Sequence, residues 1–176
     1  MFVYIKTLMF FALIQTFLPS LIHADLINDV CAQSDFPAYC ESVMRSPKNP
    51  HPDLTMLGQI ATSALRNTAT NTIVLFNNTL NKNDKGQELS DALVDCMGYY
   101  KAILSITDHC TSSLIAKDYP NLVRYATMIK FHTKSCYALI EPFHLDVEVL
   151  DANYNEGYLA SILQVIGSMF PTSKRS

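Results

Sequence analysis

The sequence predicts an all-α fold: an up-down-up-down four-helix bundle preceded by a short hairpin and held by two disulfides. Three observations carry this expectation. Beyond residue 24 the apolar residues recur mostly at helical spacing, with little strand alternation. The four segments that show this spacing are long and joined by short polar connections, which bury their stripes most simply as an antiparallel bundle. The cysteines fall where a local turn and a pair of antiparallel helices would bring them together.

Residues 1–24 have the layout of a secretory signal peptide. Lys6 supplies the positive charge, Leu8 to Leu18 the apolar core, and Ala24 the cleavage site after the break at Pro19 and Ser20. The alternative is a buried N-terminal helix; a membrane span is disfavoured because the run is short and soon followed by polar residues. Residues 25–176 are then expected as one domain, with no internal repeat or linker. From Cys31 to Pro52 the prolines Pro37, Pro47, Pro50 and Pro52 cut the chain into short pieces, which reads as a hairpin lying against the bundle.

The first bundle helix is expected to carry a stripe of Leu57, Ala61, Ala64, Thr68, Thr72 and Leu75, running toward Leu80. Residues 81–86 (NKNDKG) form the turn after it. Leu89, Leu93, Cys96, Tyr100 and Ile103 mark the second helix, with Asp108 to Asp118 as its connection onward. Asp118 and Pro120 suit the opening of the third, which carries Leu122, Tyr125, Ile129, Cys136 and Ile140 on or near its inner face and which Pro142 ends. Asp146 is expected to cap the fourth, with a stripe of Val147, Leu150, Tyr154, Tyr158, Ile162, Val165 and Met169 stopped by Pro171.

Five cysteines with one left free allow fifteen pairings, so spacing decides. Cys31 and Cys40 enclose a turn at Asp35-Phe36-Pro37, which makes a local bridge easy. Cys96 and Cys136 are equidistant from residue 116, inside the expected connection, so helices folding back there bring them face to face. That bridge closes a long loop and is worth about 4 kcal/mol on a chain-entropy account. Cys110 is expected free, at the end of the second helix. The alternative for His132, Cys136, His109 and Cys110 is a metal or thiol-catalytic site. It is disfavoured because no CxxC, HxxxH or nucleophile elbow is present. Asp91 with Asp95, and Asp84 with Glu88, share helix faces at i,i+4 and read as solvated surface. No catalytic constellation, metal site or cofactor is expected.

Charge narrows the partners. The leader holds Lys6 and no acid, so twelve basic residues face 16 acidic ones in the remainder, a net charge of −4 with His neutral. An acidic chain without Lys/Arg runs argues against nucleic acid and anionic membranes as partners. The single sequon, Asn77-Asn78-Thr79, makes Asn77 a glycosylation candidate in a secreted protein.

The leader, the Cys-x8-Cys hairpin, the run Ala92-Leu93-Val94-Asp95-Cys96 with Tyr100 four residues on, and Cys136 forty residues later resemble the plant invertase and pectin methylesterase inhibitor family. Lys117-Asp118-Tyr119 is similar as well. The resemblance implies a four-helix bundle with an N-terminal α-hairpin, and disulfides joining the first cysteine to the second and the third to the fourth. It further implies stoichiometric inhibition of a carbohydrate-active enzyme in the apoplast and cell wall, or in the vacuole, without catalysis by the inhibitor. The chain departs from the family at Gly98, where an acid is usual, at Ala102-Ile103, where Asp-Ala is frequent, and at Thr127-Met128-Ile129, where small residues are favoured.

Pectin methylesterase is the expected partner and acid invertase the alternative. Pro120-Asn121-Leu122 stands near where some invertase inhibitors carry Pro-Lys-Phe, and it lacks both the cation and the aromatic ring. Esterase inhibitors present helix faces across the substrate cleft; Asn67, Thr68, Asn71 and Thr72 on the first bundle helix, with Thr127 and Lys130 on the third, are the candidate contacts. Two further readings are a secreted helical protein that has lost inhibition, and an enzyme whose site the sequence does not display. A monomer is expected, with a Cys110-linked dimer as the alternative. Any of His51, His109, His132 and His144 in the interface would make binding depend on pH.

Overall fold

The computed structural model describes residues 25–45, 52–82 and 86–170. The expected signal peptide, His51, Pro47, Pro50, Asp84 and Pro171 lie outside them. Among the described residues there are six α-helices, one 3₁₀ turn and no strand: α1 (Leu26–Cys31), α2 (Pro37–Met44), α3 (Leu54–Asn81), α4 (Gln87–Ala116), α5 (Tyr119–Ile140), the 3₁₀ turn Glu141–Phe143, and α6 (Val147–Met169). Helices α3 to α6 form the expected up-down-up-down bundle, each packed on its sequence neighbour and α6 closing back on α3. Helices α1 and α2 form an α-hairpin lying against α3 and α6.

Aspartate side chains cap three of the six α-helices. The Asp25 carboxylate accepts from the Ile27 amide at 3.2 Å, and Asp53 from the Met56 amide at 2.7 Å. Asp118 accepts from the Asn121 amide, and Pro120 occupies the first turn of α5, where its missing N–H is no loss. Asp146 stands at the N-cap position of α6, but its side chain makes no capping bond. The α4–α5 corner closes through Lys117, whose left-handed φ of 56° lets the Asp118 amide donate to the Ser113 carbonyl at 2.8 Å.

One disulfide joins Cys31 to Cys40 across the hairpin; the other joins Cys96 on α4 to Cys136 on α5. Arg45 bonds Asp25 at 2.7 Å and Asn28 at 2.6 Å, closing the open end of the hairpin. The hairpin's turn docks on α6, where the Asp35 amide donates to Ser161 Oγ at 3.0 Å and Phe36 packs on Tyr158.

Three expectations are corrected. The proposed connection from Asp108 is helical to Ala116, because Ile106, Thr107, Cys110, Ser113 and Leu114 extend the buried stripe. The hydroxyls of Thr107, Thr111 and Ser112 bond carbonyls one turn back, so a Ser/Thr-rich run continues the helix. The α3 stripe is turned: Leu57, Ala61 and Thr72 are buried as expected. Leu65, Ala69 and Phe76 complete the face, while Ala64, Thr68 and Leu75 sit at its edge. In α6 Ile162 is buried as expected, but the buried face also takes in Val149, Asn153, Glu156, Leu159, Leu163 and Ile166, while Val147 and Tyr154 are exposed. Gly167 allows α6 to approach α5 here, since a Cβ would fall 2.7 Å from Val123.

Candidate inhibitory surface and the buried polar seam

The residues expected to contact a partner divide into two groups. Asn67 and Asn71 are exposed on α3, and Thr68 is half-buried beside them. Thr72, in contrast, is fully buried, its hydroxyl donating to the Thr68 carbonyl at 2.8 Å, and is no part of any surface. Its place one turn from Phe76 on the inner face is the reason. On α5, Thr127 is exposed and accepts from Gln164 of α6 at 2.7 Å, and Lys130 reaches across to Asp35 of the hairpin at 2.6 Å. Since α3 and α5 occupy diagonal corners of the bundle, the structure does not gather the two groups onto one pair of adjacent helices.

The opening of α5 is a closed polar network. Asn121 donates through its carboxamide to Asp118 at 2.6 Å and accepts from Arg124 at 3.1 Å. Pro120 is exposed and Leu122 is fully buried, so the third position of the Pro120-Asn121-Leu122 run is a core residue. Asn77, the glycosylation candidate, is exposed near the end of α3.

Cys110 is enclosed. It lies within α4, six residues before the helix ends, and is 0% exposed; burial pushes its thiol up to about 12. The thiol expected as an alternative bridge between chains is thus not at the surface. Among the described residues no cluster of three or more His, Cys, Asp or Glu is placed to hold a metal ion. No described helix is long and apolar enough to cross a membrane.

The most unusual group belongs to no motif in the sequence. Glu156 on α6 is 0% exposed, and neither carboxylate oxygen has a hydrogen-bond partner. Desolvation drives its carboxyl well above the ordinary value of 4.5. Tyr39 of α2 and Tyr100 of α4 feel its charge, and both phenols are themselves raised, chiefly by burial. One turn earlier, Asn153 accepts from the Tyr100 hydroxyl at 3.1 Å, while the Tyr100 ring packs edge-on against Phe76. The polar seam is a chain of buried groups from α4 through α6 toward the hairpin. Helical phase was the available signal: Glu156 falls on one face with Val149, Asn153, Leu159 and Leu163, but a stripe drawn through aliphatic and aromatic residues alone skips it.

Histidines provide a second titrating position. His132 on α5 is half-buried, its Nδ1 is enclosed without a partner, and desolvation lowers its pKa below 6.5. Its ring packs at 5.5 Å from that of Tyr99 of α4. His109 is exposed and stacks on Tyr125, and His144 is exposed in a left-handed turn.

A crystal structure of a mutant form of a pectin methylesterase inhibitor from Arabidopsis superposes with a TM-score of 0.74 and 16% identity, covering 82% of this chain and 96% of the other. Another pectin methylesterase inhibitor from Arabidopsis thaliana gives a TM-score of 0.66 at 16% identity, covering 86% and 100%. At that identity the likeness establishes the fold. No curated protein matches this sequence. The model of the plant invertase/pectin methylesterase inhibitor family matches residues 25–136, a span that includes the hairpin, both disulfides and the α4–α5 corner. The chain belongs to the plant invertase/pectin methylesterase inhibitor family.

Proposed function

We propose that the protein is a secreted, non-enzymatic inhibitor that binds a pectin methylesterase stoichiometrically, laying a helix face over the substrate cleft. The observation that carries the choice of target is the opening of α5. A cation and an aromatic ring presented there would favour invertase, whereas this chain offers Asn121 tied into a capping network and Leu122 turned into the core. A helix-face interface of standard size needs about 800 Å² from each partner, well within the reach of a bundle this long. Two disulfides fit an oxidising, extracellular setting, and the apoplast is the compartment we assign.

The test is a titration of oxidised protein against a plant pectin methylesterase and, in parallel, an acid invertase. Loss of esterase activity saturating near one-to-one is the expected result. Saturation with invertase alone would transfer the target, and no effect on either by folded protein would sink the inhibitor reading. Asn71→Arg and Thr127→Arg then distinguish the α3 side from the α5 side. Each places a bulky charge on an exposed position, and the one that weakens inhibition at least about tenfold marks the contacting face.

A further inference from the structure

The α5–α6 seam is not closed along its length. Beside the hairpin turn it opens into a cavity of about 200 Å³, bounded by Thr133, Asn153 and Gly157 and walled by Tyr137, Tyr154 and Tyr158, with Asp35, Lys130 and Lys134 completing it. Gly157 lines it without a side chain, and a Cβ there would reach ordinary contact with Thr133 Oγ1 at 3.4 Å. We propose that this cavity is a binding site for a uronic acid, the carboxylated ring of an acidic polysaccharide. The proposal goes beyond inhibition and does not depend on it.

Three properties of the cavity select that ligand. The tyrosine rings form apolar walls, Tyr137 lying 5.3 Å from Tyr154 and Tyr154 6.4 Å from Tyr158 between centroids. A pyranose offers C–H-rich faces that pack on such rings, and hydroxyl edges that need hydrogen bonds. Polar groups for those edges are present. Asn153 is only 3% exposed; its oxygen accepts from Tyr100, and its carboxamide also carries an N–H donor group. The Thr133 hydroxyl, which donates to the Lys130 carbonyl, keeps acceptor capacity. An apolar cavity with a few convergent polar groups is the usual form of a small-ligand site, and this volume, below the usual range for drug-sized ligands, limits the occupant to one ring.

The third property is charge. Helix α5 carries Arg124, Lys130 and Lys134 and no acidic residue, on a chain whose formal net charge is −3. At the cavity Lys130 is paired with Asp35 at 2.6 Å, and Lys134 supplies a second cation near the same carboxylate. Among the lining residues the balance is one positive charge, with the Glu141 carboxylate acting on the Tyr137 wall from outside the cavity. That matches a single carboxylate better than a phosphate dianion, and the acidic remainder of the surface opposes indiscriminate binding of polyanions.

The experiment is an amide-resolved NMR titration of the oxidised protein at low ionic strength with trigalacturonate, alongside its methyl ester as a neutral twin. The expected result is saturable shifts at Thr133, Gly157 and the Asn153 side chain, weakened about fivefold or more by methyl esterification and by Lys134→Met. Tyr154→Ala is expected to abolish the shifts. Both substituted residues are exposed, so an unchanged thermal midpoint would confirm intact folding. Absence of saturable shifts, equal affinity for the ester, or shifts that survive Tyr154→Ala would overturn the proposal. So would a silent sugar titration with variants that lose only esterase inhibition, which would give the cavity to a protein side chain instead.

Discussion

Two seams of the same bundle are built differently. Where α4 meets α5, the buried positions are largely apolar, Leu93 and Ile103 on one helix and Leu122, Ile129 and Ile140 on the other, and Cys96–Cys136 joins them covalently. Where α6 closes the bundle, the buried face includes Asn153 and Glu156, the Tyr100 hydroxyl enters from α4, and Thr72 faces inward from α3. The first seam relies on burial and a crosslink; the second carries an unpaired carboxyl, which burial penalises. The difference teaches that the covalent support and the wholly buried carboxyl are placed in separate seams of one core.

The largest way to test that separation is to cut the crosslinks. Cys96 and Cys136 are 40 residues apart, Cys31 and Cys40 only 9. The chain-entropy account gives about 4 kcal/mol for the longer loop and about 2.6 kcal/mol for the shorter. Replacing Cys96 and Cys136 together by Ala should therefore lower the urea midpoint more than replacing Cys31 and Cys40. The reverse order would make the hairpin, and not the α4–α5 seam, the principal covalent support.

Glu156→Gln attacks the other seam. A raised folded-state pKa means that Glu156 contributes stability fully present below its unfolded value near 4.5 and lost as pH rises through the folded value. The variant keeps the shape without the charge. At pH 7.5 it should be more stable than the parent by roughly 1–3 kcal/mol, and near pH 4 the two should be nearly equal. Thermal unfolding at both pH values checks this, and equal midpoints at pH 7.5 would show that the carboxyl is relieved by solvent or a partner.

Legibility followed the same division. The inner stripe of α4 was readable at Leu89, Leu93, Cys96, Tyr100 and Ile103, all buried, because apolar residues occupy the helical phase without interruption. In α6 the phase is hidden, since Asn153 and Glu156 hold core positions while Val147 and Tyr154 lie outside. Binary patterning presumes that polar means outward, and it fails where the core itself is polar. The candidate surface was legible in part: Asn67, Asn71 and Thr127 are exposed, but Thr72 is buried. The α5–α6 cavity was not, because its lining comes from α5, α6 and the hairpin turn at Asp35, a juxtaposition no local spacing encodes.

Cys110 gives a smaller effect within the apolar region. With its sulfur enclosed and its thiol raised to about 12, the native protein should leave a thiol reagent unreacted at pH 8 and release one equivalent after denaturation. A non-reducing gel should show no Cys110-dependent dimer. Cys110→Ala should cost about 1 kcal/mol by removing one packed atom. Rapid modification of native protein would mean that α4 opens locally near its C-terminal end.

His132 offers the finest distinction, because it opposes Glu156 in sign. Its lowered pKa means that the folded protein resists protonation, so its contribution is fully present above 6.5 and is lost as pH falls through the folded value. Acidification therefore strengthens the seam at Glu156 and weakens the one at His132. Glu156 is wholly buried and His132 only partly, so the parent should be more stable at pH 5 than at pH 7.5. Glu156→Gln should remove that acid preference and leave the His132 contribution of opposite sign. Adding His132→Gln should flatten what remains. A Glu156→Gln protein that still gains stability on acidification would place the responsible carboxyl elsewhere. A double variant that still loses stability between pH 7.5 and 5 would remove His132 from the account. The two variants thus assign each half of the pH response to its own seam, through thermal midpoints alone.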